Sequence, residues 1–289
     1  MDVSVIIPSY RHPHKIGACV DSLLDQTYTG EYEIIIVDSS PADVQLELDL
    51  LFSDKPRIKL IKLNTQTYPG TARNVGIHRA KGAVIALIDA DCIAEKDWLE
   101  NIVKNIADNT IITGVIENGT PDSVYGTCSF LVEFNHFLDL GKGRVELEGA
   151  ATCNFACNRE VFERVGYFTD DRAFEDILFC KKLIAVGGRI VKVDDVRIRH
   201  VNKTDLAGVA SNLEMLGRYS ALVRKRQGMP PRIIFNYPIL SFGLIVFRYV
   251  SIISRVARSR YLLQFIMYTP VILYLLFIWA RGFNIGAKE

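Results

Sequence analysis

The run Val84-Ile85-Ala86-Leu87-Ile88-Asp89-Ala90-Asp91 passes from five apolar residues to two carboxylates spaced two apart. On an extended strand that spacing aims both side chains to one side, and in open α/β sheets ligands gather beyond the strand ends. Two converging carboxylates suit a divalent cation, and such a cation can neutralise a diphosphate. The plainer alternative is a strand running into an aspartate-rich turn. A second acidic pair, Glu175-Asp176, stands ahead of Ile177, Leu178, Cys180, Leu183 and Ile184, a helical stripe. Taken alone, that pair reads as acids complementing a helix dipole.

The elements that must position these acids are written as alternating apolar runs and helical stripes, the pattern of a mainly parallel sheet covered by helices. Strands are predicted at Val3–Pro8, Glu33–Val37, Ile58–Leu63 and Val84–Ile88. Between them, Lys15–Gln26 and Thr71–Ala80 have helical spacing. Ser40-Pro41 with Asp43 predicts a further helix start, with Ser40 as the capping hydroxyl. From about Ile111 to Val201 the strands shorten, with helices near Arg159–Val165 and Phe174–Val186.

Five segments occur together and in order: Val3-Ser4-Val5-Ile6-Ile7-Pro8-Ser9-Tyr10, Ile35-Ile36-Val37-Asp38-Ser39-Ser40, Gly70-Thr71-Ala72-Arg73-Asn74-Val75-Gly76-Ile77, Asp89-Ala90-Asp91 and Phe174-Glu175-Asp176. On these motifs residues 1–203 resemble a family 2 glycosyltransferase of the GT-A fold. The resemblance implies a doubly wound, mainly parallel sheet with helices on both faces. It also implies an inverting enzyme that moves a sugar from a nucleotide-sugar donor.

Residue by residue, the resemblance makes Asp91 the first ligand of a divalent metal, Mn²⁺ or Mg²⁺, with Asp89 near the ribose or the metal's water shell. Pro8 and Tyr10 fall on the donor side, and Asp38 falls where the nucleotide base is bound. The family's common Asp-Asp-Gly-Ser is here Asp38-Ser39-Ser40-Pro41, so the second acid and the glycine are missing, and uracil is the expected base. Arg73 is expected to face the donor, where a guanidinium can fork onto phosphate or base oxygens. Asp176 is the expected general base, with Glu175 orienting it or meeting the acceptor. His200 stands where relatives carry a histidine near the diphosphate or metal, a satisfied structural histidine being the alternative. Asn154, in Cys153-Asn154-Phe155, is expected to line the acceptor side.

Composition bounds the remainder. A net charge of +1 gives no reason to expect a nucleic-acid partner. The six cysteines lack paired metal-ligand spacing. After residue 203 come a basic amphipathic juxtamembrane segment, 204–232, and a hydrophobic tail, 233–289. Tyr261–Ala280 is twenty residues without a charge, long enough to cross a hydrocarbon core of about 30 Å. Ile233–Ile253 is also mostly apolar but carries Asn236, Pro238 and Arg248, which leaves a span, a re-entrant segment and an interfacial helix as its readings. The N-terminus has no signal-peptide pattern, and Arg218, Arg224, Lys225, Arg226 and Arg232 precede the tail. Together these place the expected catalytic domain on the cytoplasmic side of a cell membrane. The expected partners are membrane lipid, a nucleotide sugar and a membrane-associated acceptor such as a lipid-linked oligosaccharide, glycolipid or growing polysaccharide. A polyprenyl-phosphate acceptor and a non-catalytic nucleotide-sugar-binding scaffold are the alternatives. A nucleotidyltransferase is disfavoured, because Pro8-Ser9-Tyr10-Arg11 replaces a glycine-rich phosphate loop.

Overall fold

The computed structural model describes residues 1–11 and 13–289. In chain order the elements are β1 (Val3–Ser9), α1 (Pro13–Leu24), β2 (Tyr32–Asp38), α2 (Ala42–Phe52), β3 (Ile58–Lys62), α3 (Pro69–Arg79), β4 (Val84–Ile88), β5 (Cys92–Ala94), α4 (Trp98–Asn105), β6 (Thr110–Asn118) and α5 (Val124–Phe134). They continue with β7 (Arg144–Glu146), β8 (Asn154–Asn158), α6 (Glu160–Val165), α7 (Glu175–Ala185), β9 (Arg189–His200), α8 (Leu206–Arg226), α9 (Ile233–Asn236), α10 (Leu244–Val256), α11 (Leu262–Met267) and α12 (Thr269–Lys288). The chain divides into two compact units, residues 1–117 with 141–199, and residues 118–140 with 200–289.

The first unit is built on a sheet of order β3-β2-β1-β4-β8-β6-β9-β5, with β7 beside β9. One half is parallel: β1 pairs with β2 and β4, and β2 with β3. The inner strands β1, β2 and β4 are mostly apolar because a parallel sheet with helices on both faces buries both sides of a strand, whereas β3, at the end of the strand order, keeps Lys59 and Lys62 exposed. All of β2 and β4 is buried. Across β4 the direction changes, since β8 pairs antiparallel with both β4 and β6. The sheet is therefore mixed, with its parallel half in the run β3-β2-β1-β4. Alternating elements in a sequence carry no sign of strand direction, and β8 enters between β4 and β6 from a distant part of the chain. The core beside this junction holds Ile6, Leu87, Phe155, Phe162, Phe168 and Phe179. Helix α3 lies close on the sheet: a Cβ at Gly76 would sit 2.5 Å from Ile6 Cγ2.

One local alternative is decided and two expectations change. Strand β4 ends at Ile88, and Cys92 N–H donates to Asp89 C=O at 3.0 Å, so Asp89 and Asp91 sit in a turn and not on a strand. Helix α2 forms where predicted, but its N-cap is Pro41 with no side-chain cap. Ser40 Oγ instead accepts from Arg11 N–H at 2.7 Å and donates to Asp38 Oδ2 at 2.9 Å. The stretch Tyr261–Ala280 is not one helix, since α11 ends at Met267 and α12 begins at Thr269, with Pro270 in its first turn.

In the second unit, α12 lies along α8. Added Cβ atoms at Gly217, Gly282 and Gly286 would stand 2.0 Å from Trp279 C=O, 2.0 Å from Glu214 C=O and 2.3 Å from Arg218 C=O. Only glycine permits such backbone approach, the device of small-residue helix pairs. Two stretches, Pro238–Val256 and Thr269–Lys288, are long and apolar enough to cross a membrane by length and composition. Over an 18-residue window of each, 17% of the first is buried within the protein and 61% of the second.

Candidate active site

The predicted site residues of the first unit gather beyond the carboxyl ends of the parallel strands. Pro8 and Ser9 end β1, Asp38 ends β2, and the Asp89–Asp91 turn follows β4. Asp38 is fully buried, and both its oxygens bond Ser40, Oδ1 accepting from the backbone N–H and Oδ2 from the hydroxyl, each at 2.9 Å. Its carboxylate thus shapes the turn after β2. Tyr10 is half-buried, with the Arg11 guanidinium 5.3 Å from its ring centre.

Arg73 is the centre of the arrangement. It is 3% exposed, and its guanidinium forks between two carboxylates, Nη2 donating to Asp89 Oδ1 at 2.6 Å and Nη1 to Glu175 Oε1 at 2.7 Å. Burial alone would lower its proton affinity, but Asp89 and Glu175 overcome that and raise it. Two residues expected on donor and acceptor are thereby joined across the site. The rest of the Gly70–Asn74 motif fastens the same loop. Asn74 exchanges two hydrogen bonds with the Phe168 backbone, at 2.9 and 3.1 Å, and Thr71 donates to Asp170. At Gly70 a Cβ would meet Thr169 C=O at 2.7 Å.

That loop delivers Glu175-Asp176. Phe174, the N-cap of α7, has φ +69°, a left-handed conformation that side-chain-bearing residues adopt at a cost of about 1–3 kcal/mol and that recurs at functional sites. Glu175 is buried on Arg73, while Asp176 is half-buried and accepts from the Ile177 backbone N–H at 2.7 Å. Burial and the neighbouring Glu175 charge push the Asp176 carboxyl up to about 7, against the opposing pull of the Ile177 N–H and Arg73. A carboxylate held there is poised to accept a proton near neutral pH.

Asn154 is fully buried. Its amide accepts from Trp98 Nε1 at 2.9 Å and donates to the Val115 and Val196 carbonyls at 3.2 and 3.1 Å. It cross-links the sheet, a role that leaves no surface for an acceptor. His200 ends β9, with Nδ1 3.0 Å from Asn202 Oδ1 and its ring 4.6 Å from that of Phe134. Sequence reasoning did not find Cys19, whose thiol donates to Asp89 C=O at 3.5 Å beneath the acidic turn. Burial, then the Asp91 and Asp89 charges, raise its pKa, so it stays a thiol. Its place in the α1 stripe marked it only as core.

Residues 4–166 match the family model described as glycosyl transferase family 2. The chain belongs to that family. It thus contains a glycosyltransferase enzyme domain, and its acidic turn and Glu175-Asp176 pair are read against that membership. The chain is similar to glycosyltransferase AglE of Haloferax volcanii, 29% identical over 199 residues, which is 67% of this chain and 65% of that protein. A second relative is WfgD of Escherichia coli, named UDP-Glc:alpha-D-GlcNAc-diphosphoundecaprenol beta-1,3-glucosyltransferase, 36% identical over 109 residues, 38% of this chain and 42% of that protein. The matches span less than two thirds of either relative. Among solved structures, the mannosyltransferase PcManGT from Pyrobaculum calidifontis, in complex with GDP-Man and Mn²⁺, has the same fold. Its TM-score is 0.67 at 19% identity, over 99% of this chain and 88% of that one.

Proposed function

We propose that this chain is an inverting, metal-dependent glycosyltransferase that moves a sugar from a nucleotide-diphosphate donor to a sugar hydroxyl of a membrane-associated acceptor. The observation that carries the reading is the Arg73 fork, which holds the Asp89–Asp91 turn and the Glu175-Asp176 pair in one site. An acid turn for the donor and a proton acceptor for the attacking hydroxyl are the two things inverting transfer needs within reach of one anomeric carbon. A UDP-linked donor is supported by the similarity to WfgD, whose name specifies UDP-Glc.

In the proposed reaction the acceptor oxygen attacks the anomeric carbon from the face opposite the diphosphate. Its proton passes to Asp176, and the bond from the anomeric carbon to the diphosphate oxygen breaks with its electron pair on the leaving group. Asp91 presents hard carboxylate oxygen at the mouth of the parallel strands, a donor that suits Mn²⁺ or Mg²⁺. Charge on the leaving diphosphate would be neutralised there by the bound cation. Asp89, held by Arg73, keeps the turn in place, while Pro8 and Tyr10 flank the nucleotide. The raised proton affinity of Asp176 favours a sugar hydroxyl over a phosphate acceptor, which needs little help from a base.

The test is a screen of nucleotide sugars for slow donor hydrolysis, with Mn²⁺, with Mg²⁺ and with chelator. It is followed by transfer to lipid-linked saccharides and to polyprenyl phosphate. Metal-dependent turnover of one donor and transfer to a saccharide hydroxyl are expected. Transfer to polyprenyl phosphate alone would move the assignment to that acceptor, and donor binding without turnover would make the chain a scaffold.

A further inference from the structure

The second unit carries an apolar surface that its own fold leaves uncovered. On α10, Val246, Phe247 and Val250 are 69%, 71% and 57% exposed, whereas Ile252 and Val256 on the other side of the helix are buried. The patch continues through Ile239 before α10 and through Leu263 and Ile266 on α11, all more than half exposed. Large apolar side chains exposed together over consecutive elements mark a surface made to be covered.

Charge indicates what covers it. Between Glu214 and Glu289 there is no Asp or Glu, while eleven Lys and Arg residues occur in that stretch. Exposed Arg232, Arg258 and Arg260 flank the patch in sequence. Apolar side chains in a stretch of chain whose only charges are positive match the interface of an anionic lipid leaflet, where rings and aliphatic chains enter the acyl boundary and guanidinium groups meet phosphates.

Packing says how deep the unit goes. Helix α12 presses on α8 through Gly217, Gly282 and Gly286. Helix α8 carries Glu214, Arg218, Arg224, Lys225 and Arg226 along its length. Arg281 pairs with Glu214 at 2.7 Å and Arg218 with Glu289 at 2.8 Å. Were α12 to cross the hydrocarbon, α8 and these charges would go with it, at a cost of about 2.5–3.5 kcal/mol for each charge at the bilayer centre. We infer that the second unit is a monotopic anchor, lying on one anionic leaflet through the outer face of Ile239–Ile266, and that neither apolar stretch crosses the membrane. The inference deepens the membrane-associated acceptor of the proposed function and rests on that reading only for its purpose, since lipid binding is measured without donor or acceptor.

The experiment is flotation of the full chain with phosphatidylcholine vesicles containing about one third phosphatidylglycerol, against phosphatidylcholine alone. The wild type should float with the anionic vesicles, less so at high salt, and the F247E/V250E double variant should lose about tenfold or more of that binding. Its unchanged circular dichroism melt would show that the variant folds. In cells, an alkaline carbonate wash should release the wild type. Retention in the washed membrane would mean a spanning anchor and overturn the inference. So would vesicle binding that survives F247E/V250E, or a vesicle-free dimer that the same variant dissociates, which would assign the patch to a second copy.

Discussion

The two acidic pairs of the first unit differ in sequence setting and share one division of labour. Asp89 and Asp91 stand in a turn after β4, and Glu175 and Asp176 stand in the first turn of α7. In each, the first acid is held by Arg73, at 2.6 Å for Asp89 and 2.7 Å for Glu175. On the proposed reading the second acid of each pair does the chemistry, Asp91 toward a cation and Asp176 toward a proton. A buried guanidinium, permanently charged and with a fixed fork, is suited to holding two anionic segments together, which a lysine ammonium cannot do with the same geometry.

The strongest way to break this comparison is to remove the fork. Arg73→Met leaves Glu175 buried without its cation and should destabilise the domain by about 3–5 kcal/mol, read as a lower midpoint in urea. Arg73→Lys should recover only part of that. If Arg73→Met unfolds at the wild-type midpoint, the pairs do not depend on each other.

Next in size is the loss at the turn. Outer-shell changes at metal sites cost about 10–100-fold, and Asp91→Ala, as a lost ligand, should weaken metal-assisted nucleotide binding at least as much. Asp89→Asn, which keeps a hydrogen-bond acceptor for Arg73, should cost less. Calorimetry with and without Mn²⁺ decides between them, and equal effects would erase the distinction within the pair.

The smallest effect separates the pairs by pH. On the proposed reading Asp176 takes the proton only when ionised, and burial with the Glu175 charge raises its carboxyl to about 7. The kcat/KM for transfer should therefore climb through neutral pH and level off above it, whereas nucleotide affinity should be flat over the same range. A transfer rate already level at pH 5 would take Asp176 out of the proton transfer.

Much of this was legible in the sequence where the signal is local. The apolar runs of β1, β2 and β4 appear within a residue of where the spacing puts them, because strands buried on both faces are mostly apolar, with Ser4 and Glu33 satisfying each other at 2.7 Å. Helix α7 and the acids that open it were legible from the helical spacing of its apolar residues. The Arg73 fork was not. Its partners lie 16 and 102 residues away, and an arginine in an Ala-Arg-Asn helix turn gives no sign of whether it meets a ligand or two carboxylates. Asn154 was misplaced toward a ligand by its neighbourhood, when its three partners come from α4, β6 and β9. In the tail, composition identified apolar helices but not which side of each is covered. Tyr261–Ala280 read as the better span, yet Thr269–Lys288 is the more buried stretch, and Pro238–Val256 the one left open.

The most direct test of the central claim is a paired measurement on Asp176→Asn and Glu175→Gln, with donor affinity from calorimetry and transfer from single-turnover kinetics. Asp176→Asn should bind donor as the wild type does and lose about a hundredfold or more in transfer. Glu175→Gln, which keeps an oxygen for Arg73, should lower the melting temperature and retain most of the transfer rate. The reverse pattern, with Glu175→Gln abolishing transfer and Asp176→Asn sparing it, would contradict the assignment of chemistry to the second acid of the pair.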